Sequence, residues 1–425
     1  MVPDLGLGPE IWLLLTLLLC VSIFVSFRRP WSLRNLDLLL LFILAPGIMA
    51  LVGGAQRAPI VPYLWLFLGS GLWLLRCLLD LGLPRRPALE PNLNVPGLTC
   101  LSAGMIALIV AETINLPIRE GEARNPATSE DADLDRHGAV SAVSRVPSGG
   151  PDETLPVTTR PGVVRWRSTQ IIISRVLAGL AHIGVVAGLI TLARRHFGRP
   201  VAGLSAAALY LVLPYTRIEA VDSGQVLPAA LIVAALIWHE VPSRAGAAIG
   251  LAAGWMPACV GLVPLWIGFY RGRHARHFAA ASLGMAGISV VIGRSVPGLS
   301  KWAEAMGARG LAEAGLLPGL EPATTGGLWS GIDPVYRFPV LVAYLALVVV
   351  VSVWPLQKNL GELIALSAAV LLASQFWYLE KGGTMVLLYL PLLLLMMFRP
   401  NLNSKRAPRP TPRASEEPAT PLARG

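Results

Sequence analysis

The chain has 425 residues, of which 54% are hydrophobic and only 14% charged, and its mean hydropathy is +0.61. Soluble domains run roughly 45 to 50% apolar and about 25% charged, so composition excludes an ordinary soluble domain and indicates a membrane protein. The net charge of +10 does not imply nucleic acid, because the basic residues sit in short clusters between apolar runs and at the C-terminus rather than along one face or among stacking aromatics.

Crossing the hydrocarbon core takes about 20 apolar residues. Runs of that kind predict helices near 10–27, 36–54, 60–83, 97–116, 170–193, 200–216, 225–239, 277–293, 337–354, 360–378 and 382–398. The expected architecture is an all-α polytopic integral membrane protein with about 11–13 transmembrane helices. Residues 245–270 have the length of one span, but Gly254, Trp255, Met256 and Pro257 interrupt it, and a proline removes a backbone donor that lipid cannot replace. The first run follows MVPDLGLGPE, which lacks a basic n-region, and Arg28 and Arg29 follow it as a stop-transfer pair; it reads as a retained helix rather than a cleaved signal.

Arginine placement sets the expected orientation. Arg28, Arg29 and Arg34 follow the first span, Arg85 and Arg86 the third, and Arg194, Arg195 and Arg199 the fifth. This alternation puts the N-terminus outside and these turns in the cytoplasm. Arg244 then falls inside, and a single crossing by 245–270 would carry Arg271, Arg273 and Arg276 outside. Two short limbs meeting at Trp255 to Pro257 keep both ends inside, along with Lys358, Arg399 and the basic tail. The organisation is thus 1–116, N-terminal spans; 117–168, an external polar loop whose composition predicts disorder; 169–400, a transmembrane core with an external loop at 294–336; and 401–425, a Pro-rich basic cytoplasmic tail. Four cysteines lie in apolar runs without metal or disulfide spacing, and the six histidines form no HExxH, so no metal ligand set and no cofactor are expected.

Several polar residues stand out against this background. Arg76 and Asp80 are four apart in one span and can neutralise each other on one helix face near the inner surface. His182 is mid-span among small residues, where a hydrogen bond to a neighbouring helix outweighs a proton relay. Arg217, Glu219 and Asp222 precede Gly224-Gln225 in an external turn. That turn is either an ordinary interfacial pair or one wall of an outward-facing site. The other external segments carry Lys301, Trp302 and Trp329, and then Trp377, Tyr378, Glu380 and Lys381. Such a set suits a sugar or a phosphate headgroup, and an aromatic belt produces the same set without a ligand.

The run GQVLPAALIVAALIWHEVPSRAGAAIGLAAGWMPACVGLVPLWIGFYRGRHARHF resembles the middle of multispanning glycosyltransferases of the C-type (GT-C) fold, in the mannosyltransferase-like branch that takes sugars from polyprenyl phosphates. Gly224-Gln225, Gly250 to Gly254, Pro257 and Arg271 to Arg276 fit that branch's order over residues 165–290. DPVYRFPVLVAYLALVVVVSVWPLQKNLGELIALSAAVLLASQFWY resembles uncharacterised bacterial membrane proteins with the same middle. The chain departs from the pattern at Trp255-Met256, where the family often has a lysine before the proline. It also has scattered acids in 117–168 in place of an acidic motif.

The resemblance implies a GT-C-like enzyme of the bacterial inner membrane that transfers a sugar from a polyprenyl-phosphate donor on the external face. A carboxylate would act as the base. Asp222, Glu112 and Asp133 are the foremost candidates, with Asp131 and Asp135 behind them. Arg217, Lys301 and Lys381 would meet phosphate, and Glu219, Gln225 and Trp377 would line the substrate. The alternative is a non-enzymatic membrane protein, either a degenerate relative or a transporter.

Overall fold

The structure, a computed structural model, describes residues 9–27, 30–52, 60–83, 89–115, 161–218, 220, 223–295, 328–329, 334–378 and 382–400. Among these there are helices and no strands. The helices are α1 (Pro9–Phe24), α2 (Leu33–Phe42), α3 (Ala45–Val52), α4 (Ile60–Leu79), α5 (Val95–Asn115), α6 (Pro161–Leu192), α7 (Pro200–Val212) and α8 (Pro214–Ile218). They continue with α9 (Ser223–Ile237), α10 (Pro242–Trp255), α11 (Leu262–Phe269), α12 (Arg273–Ser295), α13 (Phe338–Val353), α14 (Leu360–Ser374) and α15 (Val386–Phe398). Among the described residues, four helical stretches are long and apolar enough to cross a membrane: Leu33–Leu51, Ile60–Gly82, Arg175–Phe197 and Val335–Val353. The protein is an all-α integral membrane protein.

Helix contacts are built on small residues, as expected where lipid supplies no hydrophobic drive and close backbone approach must do the work. Gly184 and Gly188 of α6 face Ala230 and Val233 of α9; a Cβ on Gly188 would lie 2.5 Å from a Val233 methyl. Both pairings advance along both helices, so α6 and α9 run parallel, and α7, which joins them in the chain, runs back along α6. Gly203 of α7 backs onto Ala193 and Ile190 at one end, and Tyr210 meets His182 at the other. The α6–α7 pair is therefore antiparallel.

A second parallel pair follows. Gly246 of α10 abuts the backbone of Phe278 in α12, and Gly250 abuts that of Ser282. Two parallel helices need a return path, and it is the interrupted segment read from the sequence. Helix α10 stops at Trp255, Met256 is extended (φ -136, ψ 114), and a 3-10 turn at Pro257–Gly261 leads into α11. The return limb runs alongside α13, with Gly261 against Tyr344 and Gly268 against Ser352. Its end comes back to its start: the Tyr270 hydroxyl donates to the His239 carbonyl at 2.6 Å. The expected break at Trp255 to Pro257 is present, and the two ends of 242–270 lie at one level.

These levels can be followed across the bundle. His239 touches His196, with ring centroids 4.6 Å apart. Arg271 donates to the Leu356 carbonyl, and the Lys358 ammonium donates to the carbonyls of Ser352 and Pro355 at 2.9 and 3.0 Å. Asn359 and Glu362 close a reciprocal capping box on α14, worth about 1 kcal/mol. Arg399 packs on Gly361, Phe398 meets Phe24 edge-on, and Arg34 donates to the carbonyls of Phe24 and Glu90. Arg34, Arg194, Arg195, Arg199, Arg244, Arg271, Arg273, Arg276, Lys358 and Arg399 thus share one end of the bundle, called the basic face below. Burial lowers the Lys358 pKa, Glu362 opposes that shift, and Arg271 reinforces it.

Arg76 anchors the same end from inside. Its Nε and Nη2 bind the two oxygens of Asp37 at 2.6 and 2.9 Å, and Nη1 binds Asp80 at 2.8 Å. Asp80 in turn accepts from Arg399 Nη2 at 2.5 Å. The four side chains are nearly fully buried, so two carboxylates and two guanidinia cancel where a lone charge would be costly.

Candidate functional site

The end opposite the basic face carries two groups of polar and aromatic side chains. The first is built on the α14–α15 hairpin. Helix α14 ends at Ser374, and Gly382 and Gly383 let the chain turn back beside α4. Gly383 has φ +89, a conformation that suits glycine, and a Cβ on Gly382 would come within 2.8 Å of the Gln375 carbonyl. The Gln375 Oε1 accepts the Met385 N–H at 3.1 Å and pins α15 to the turn.

Aromatic side chains gather on this hairpin. Phe376 meets Phe67 edge-on at 5.2 Å. Trp377 lies against Tyr378 at 5.0 Å and Tyr344 of α13 at 5.8 Å. The Arg337 guanidinium, 3% exposed, donates to the Trp377 carbonyl at 2.7 Å, and the Trp329 indole donates to the Phe376 carbonyl at 2.9 Å. The Trp377 indole N–H is buried and has no hydrogen-bond partner among the described residues. Ring faces, a buried indole donor and an arginine therefore converge beside α13, whose Phe338, Val342, Leu345 and Val349 are exposed in the way of a lipid-facing helix.

The second group is the turn from α7 to α9. Leu213 leaves the helical region at ψ 140, and the five-residue α8 follows. His182 ties this turn down, one ring nitrogen 2.9 Å from the Tyr210 hydroxyl and the other 3.2 Å from the Ala220 carbonyl. A carbonyl only accepts, so Nε2 carries the proton and Nδ1 accepts from the tyrosine. His182 makes the interhelical hydrogen bond expected of it. Thr216 donates to the Tyr210 carbonyl at 2.5 Å, and Tyr215 donates to Leu41 of α2.

Of the residues singled out in the sequence, Trp377 joins the hairpin group, whereas Arg217, half-buried, and Gln225, 3% exposed, belong to the turn. Helix α15 packs against both α7 and α9, and so stands between the groups. Glu112 is described by its backbone, in the last turn of α5. That helix starts beside Asn92, which holds the Ser22 and Val25 carbonyls at the basic face. Its 21 residues, about 31 Å, carry Glu112 to the opposite end. Asp222, Asp133, Glu219, Lys301 and Lys381 lie outside the described residues, as do Asp131 and Asp135.

Sequence reasoning found the Arg76–Asp80 pair but not its partners Asp37 and Arg399. Arg337 falls at the boundary between the external loop 294–336 and the helix expected near 337–354, and nothing in its local sequence marks it as the donor to Trp377. Likewise, no spacing marked His196, His239 and Glu240 as ligands, yet the fold brings one potential ligand atom from each within 4.8 Å of the others. The chain matches no protein-family model, no curated protein and no solved structure.

Proposed function

We propose that the protein is a GT-C-like membrane glycosyltransferase with about 11–13 transmembrane helices, which moves a sugar from a polyprenyl-phosphate donor to an acceptor. The site lies at the end opposite the basic face. That face is cytoplasmic by the positive-inside rule, in the bacterial inner membrane, so transfer occurs outside. The observation that carries this reading is the hairpin group: Trp377, Tyr378 and Tyr344 offer stacking faces, the Trp377 indole offers a buried donor, and Arg337 brings positive charge to the edge of a lipid-exposed helix. A lipid-borne sugar phosphate presents an apolar sugar face, hydroxyls and an anion to that edge, each matched by one of these groups.

In this reading, one of Asp222, Glu112 or Asp133 takes the acceptor hydroxyl proton while the oxygen displaces polyprenyl phosphate at the anomeric carbon. By sequence alone, the phosphate falls to Arg217, Lys301 and Lys381 and the sugar to Glu219, Gln225 and Trp377. Since α15 stands between Trp377 and the turn that holds Arg217 and Gln225, it is the hairpin group, with Trp377 and Arg337, that supports the proposal. The test is transfer of labelled sugar from polyprenyl-phosphate donors in membranes carrying the wild type, Asp222→Asn, Glu112→Gln, Asp133→Asn or Trp377→Ala. One of the three carboxylate variants should insert normally and lose activity by a factor on the order of 100 to 10,000.

One observation favours the non-enzymatic alternative. Among the described residues, every carboxylate whose side chain is described, namely Asp37, Asp80, Glu90, Glu240 and Glu362, lies at the basic face. Absence of transfer by the wild type with any donor would decide for that alternative, a degenerate relative that binds lipid-borne sugar without turnover.

A further inference from the structure

We propose that His196, His239 and Glu240 form a binding site for one divalent transition-metal ion of the zinc or cobalt class at the basic face. The site owes nothing to the transferase reading, and it is assembled from two places in the chain. His196 comes from the π-helical turn Ala193–Phe197 at the end of α6, closed by Gly198 at φ 66. His239 and Glu240 come from the tight turn between α9 and α10. The wide turn leaves Arg194 and Arg195 exposed and carries His196 inward, and such turns recur at functional sites.

Each ring is set for coordination by the backbone around it. His196 Nε2 is 3.0 Å from the Ile237 carbonyl, and His239 Nδ1 is 2.9 Å from the Leu236 carbonyl. Carbonyls accept only, so each of these nitrogens carries its proton. The lone pairs belong to His196 Nδ1 and His239 Nε2. A backbone carbonyl holding the far N–H is how metal-bound imidazoles are usually oriented. Tyr270 fixes the turn further by its hydrogen bond to the His239 carbonyl.

The third ligand approaches from the water side. A Glu240 oxygen lies 3.9 Å from His196 Nδ1, with the glutamate side chain 67% exposed and the His196 side chain 5% exposed. One ligand atom from each of the three residues falls within 4.8 Å of the others. Ligands about 2.0 to 2.1 Å from a tetrahedral zinc stand about 3.4 Å apart, so the exposed Glu240 needs about 0.5 Å to close on His196 and no pair in the site needs more than about 1.4 Å. Two imidazoles and one carboxylate suit zinc or cobalt, whereas calcium and magnesium take oxygen ligands. Three protein ligands leave a coordination position for water beside Glu240. The nearby cations Arg194, Arg195, Arg199 and Arg244 are all exposed, where solvent screens their repulsion.

The experiment uses the full chain, purified in detergent without a polyhistidine tag, with zinc titrated by calorimetry and cobalt followed by its ligand-field absorption. The wild type should take up one equivalent with a low-symmetry cobalt spectrum. Glu240→Gln, at an exposed position, should keep the wild-type melting temperature and weaken binding by at least the roughly 10- to 100-fold that loss of even an outer partner costs. His239→Gln should abolish the cobalt spectrum. Replacing His274 and His277 together with glutamine should change nothing, since they sit apart on α12. The proposal is overturned if the wild type binds neither metal, if folded Glu240→Gln binds as tightly as the wild type, or if binding is lost with His274 and His277.

Discussion

Arg76 shows how a few atoms decide whether charge can stay inside this bundle. Its guanidinium spans Asp37 and Asp80, and removing it leaves two buried carboxylates facing a single cation, Arg399. Arg76→Met is expected to lower stability by about 3 to 5 kcal/mol, the usual result of breaking a buried pair from one side. Pairing that change with Asp37→Leu leaves Asp80 with Arg399 and should recover most of the loss; chemical denaturation in detergent measures both. Only part of this was legible in the sequence. Arg76 and Asp80 are one helical turn apart, so spacing alone brought them together. Asp37 and Arg399 are 39 and 319 residues from the atoms they bind, and no local pattern encodes such a meeting. The same holds for His196 and Glu240, whose juxtaposition depends on where α6 ends relative to the α9–α10 turn.

At the scale of elements, the parallel pair α10 and α12 is sensitive to substitution at its glycines. Gly250 abuts the Ser282 backbone, which cannot rotate away. Gly250→Val is therefore expected to force the helices apart at a cost of about 1 to 3 kcal/mol. Gly284 provides the control on α12 itself, because nothing lies within 4 Å of where its Cβ would be. Gly284→Ala should be neutral or raise stability by up to about 1 kcal/mol through helix propensity. Thermal unfolding of the two variants side by side checks the contrast. The break that makes the parallel arrangement possible was visible in the sequence, since Pro257 cannot donate and glycine and tryptophan flank it. The partner of α10 was not visible, because a row of small residues indicates close packing without saying against what.

For the whole molecule, the structure places Arg244 and Arg273 on one face although a possible membrane span separates them. Single cysteines at these two positions, in a background lacking Cys20, Cys77, Cys100 and Cys259, should react equally with an impermeant reagent applied from either side. A reagent that reaches only one of them would rule the arrangement out. Arginine clusters punctuate the apolar runs, and the fold gathers Arg34, Arg194, Arg195, Arg199, Arg244, Arg271, Arg273, Arg276 and Arg399 at one end of the bundle, whereas Arg217 and Arg337 lie at the other. The candidate site was less legible. External acids and aromatics are spread over loops whose composition does not fix which of them meet; the turn at 217–225 and the hairpin residues Trp377 and Tyr378 could each be read as a unit, but not how the two stand to each other.

The bond from Arg399 to Asp80 has a consequence for how the chain is made. The α2–α4 region emerges from the ribosome early with Asp37 and Asp80 both held by Arg76, and Asp80 meets its second guanidinium only with Arg399, 319 residues further on. That second guanidinium is the first residue after α15, the last described helix. The ion-pair network of the N-terminal helices is thus complete only once α15 has been made, and a chain lacking Arg399 would lose one of the two guanidinia that hold the buried Asp80 carboxylate.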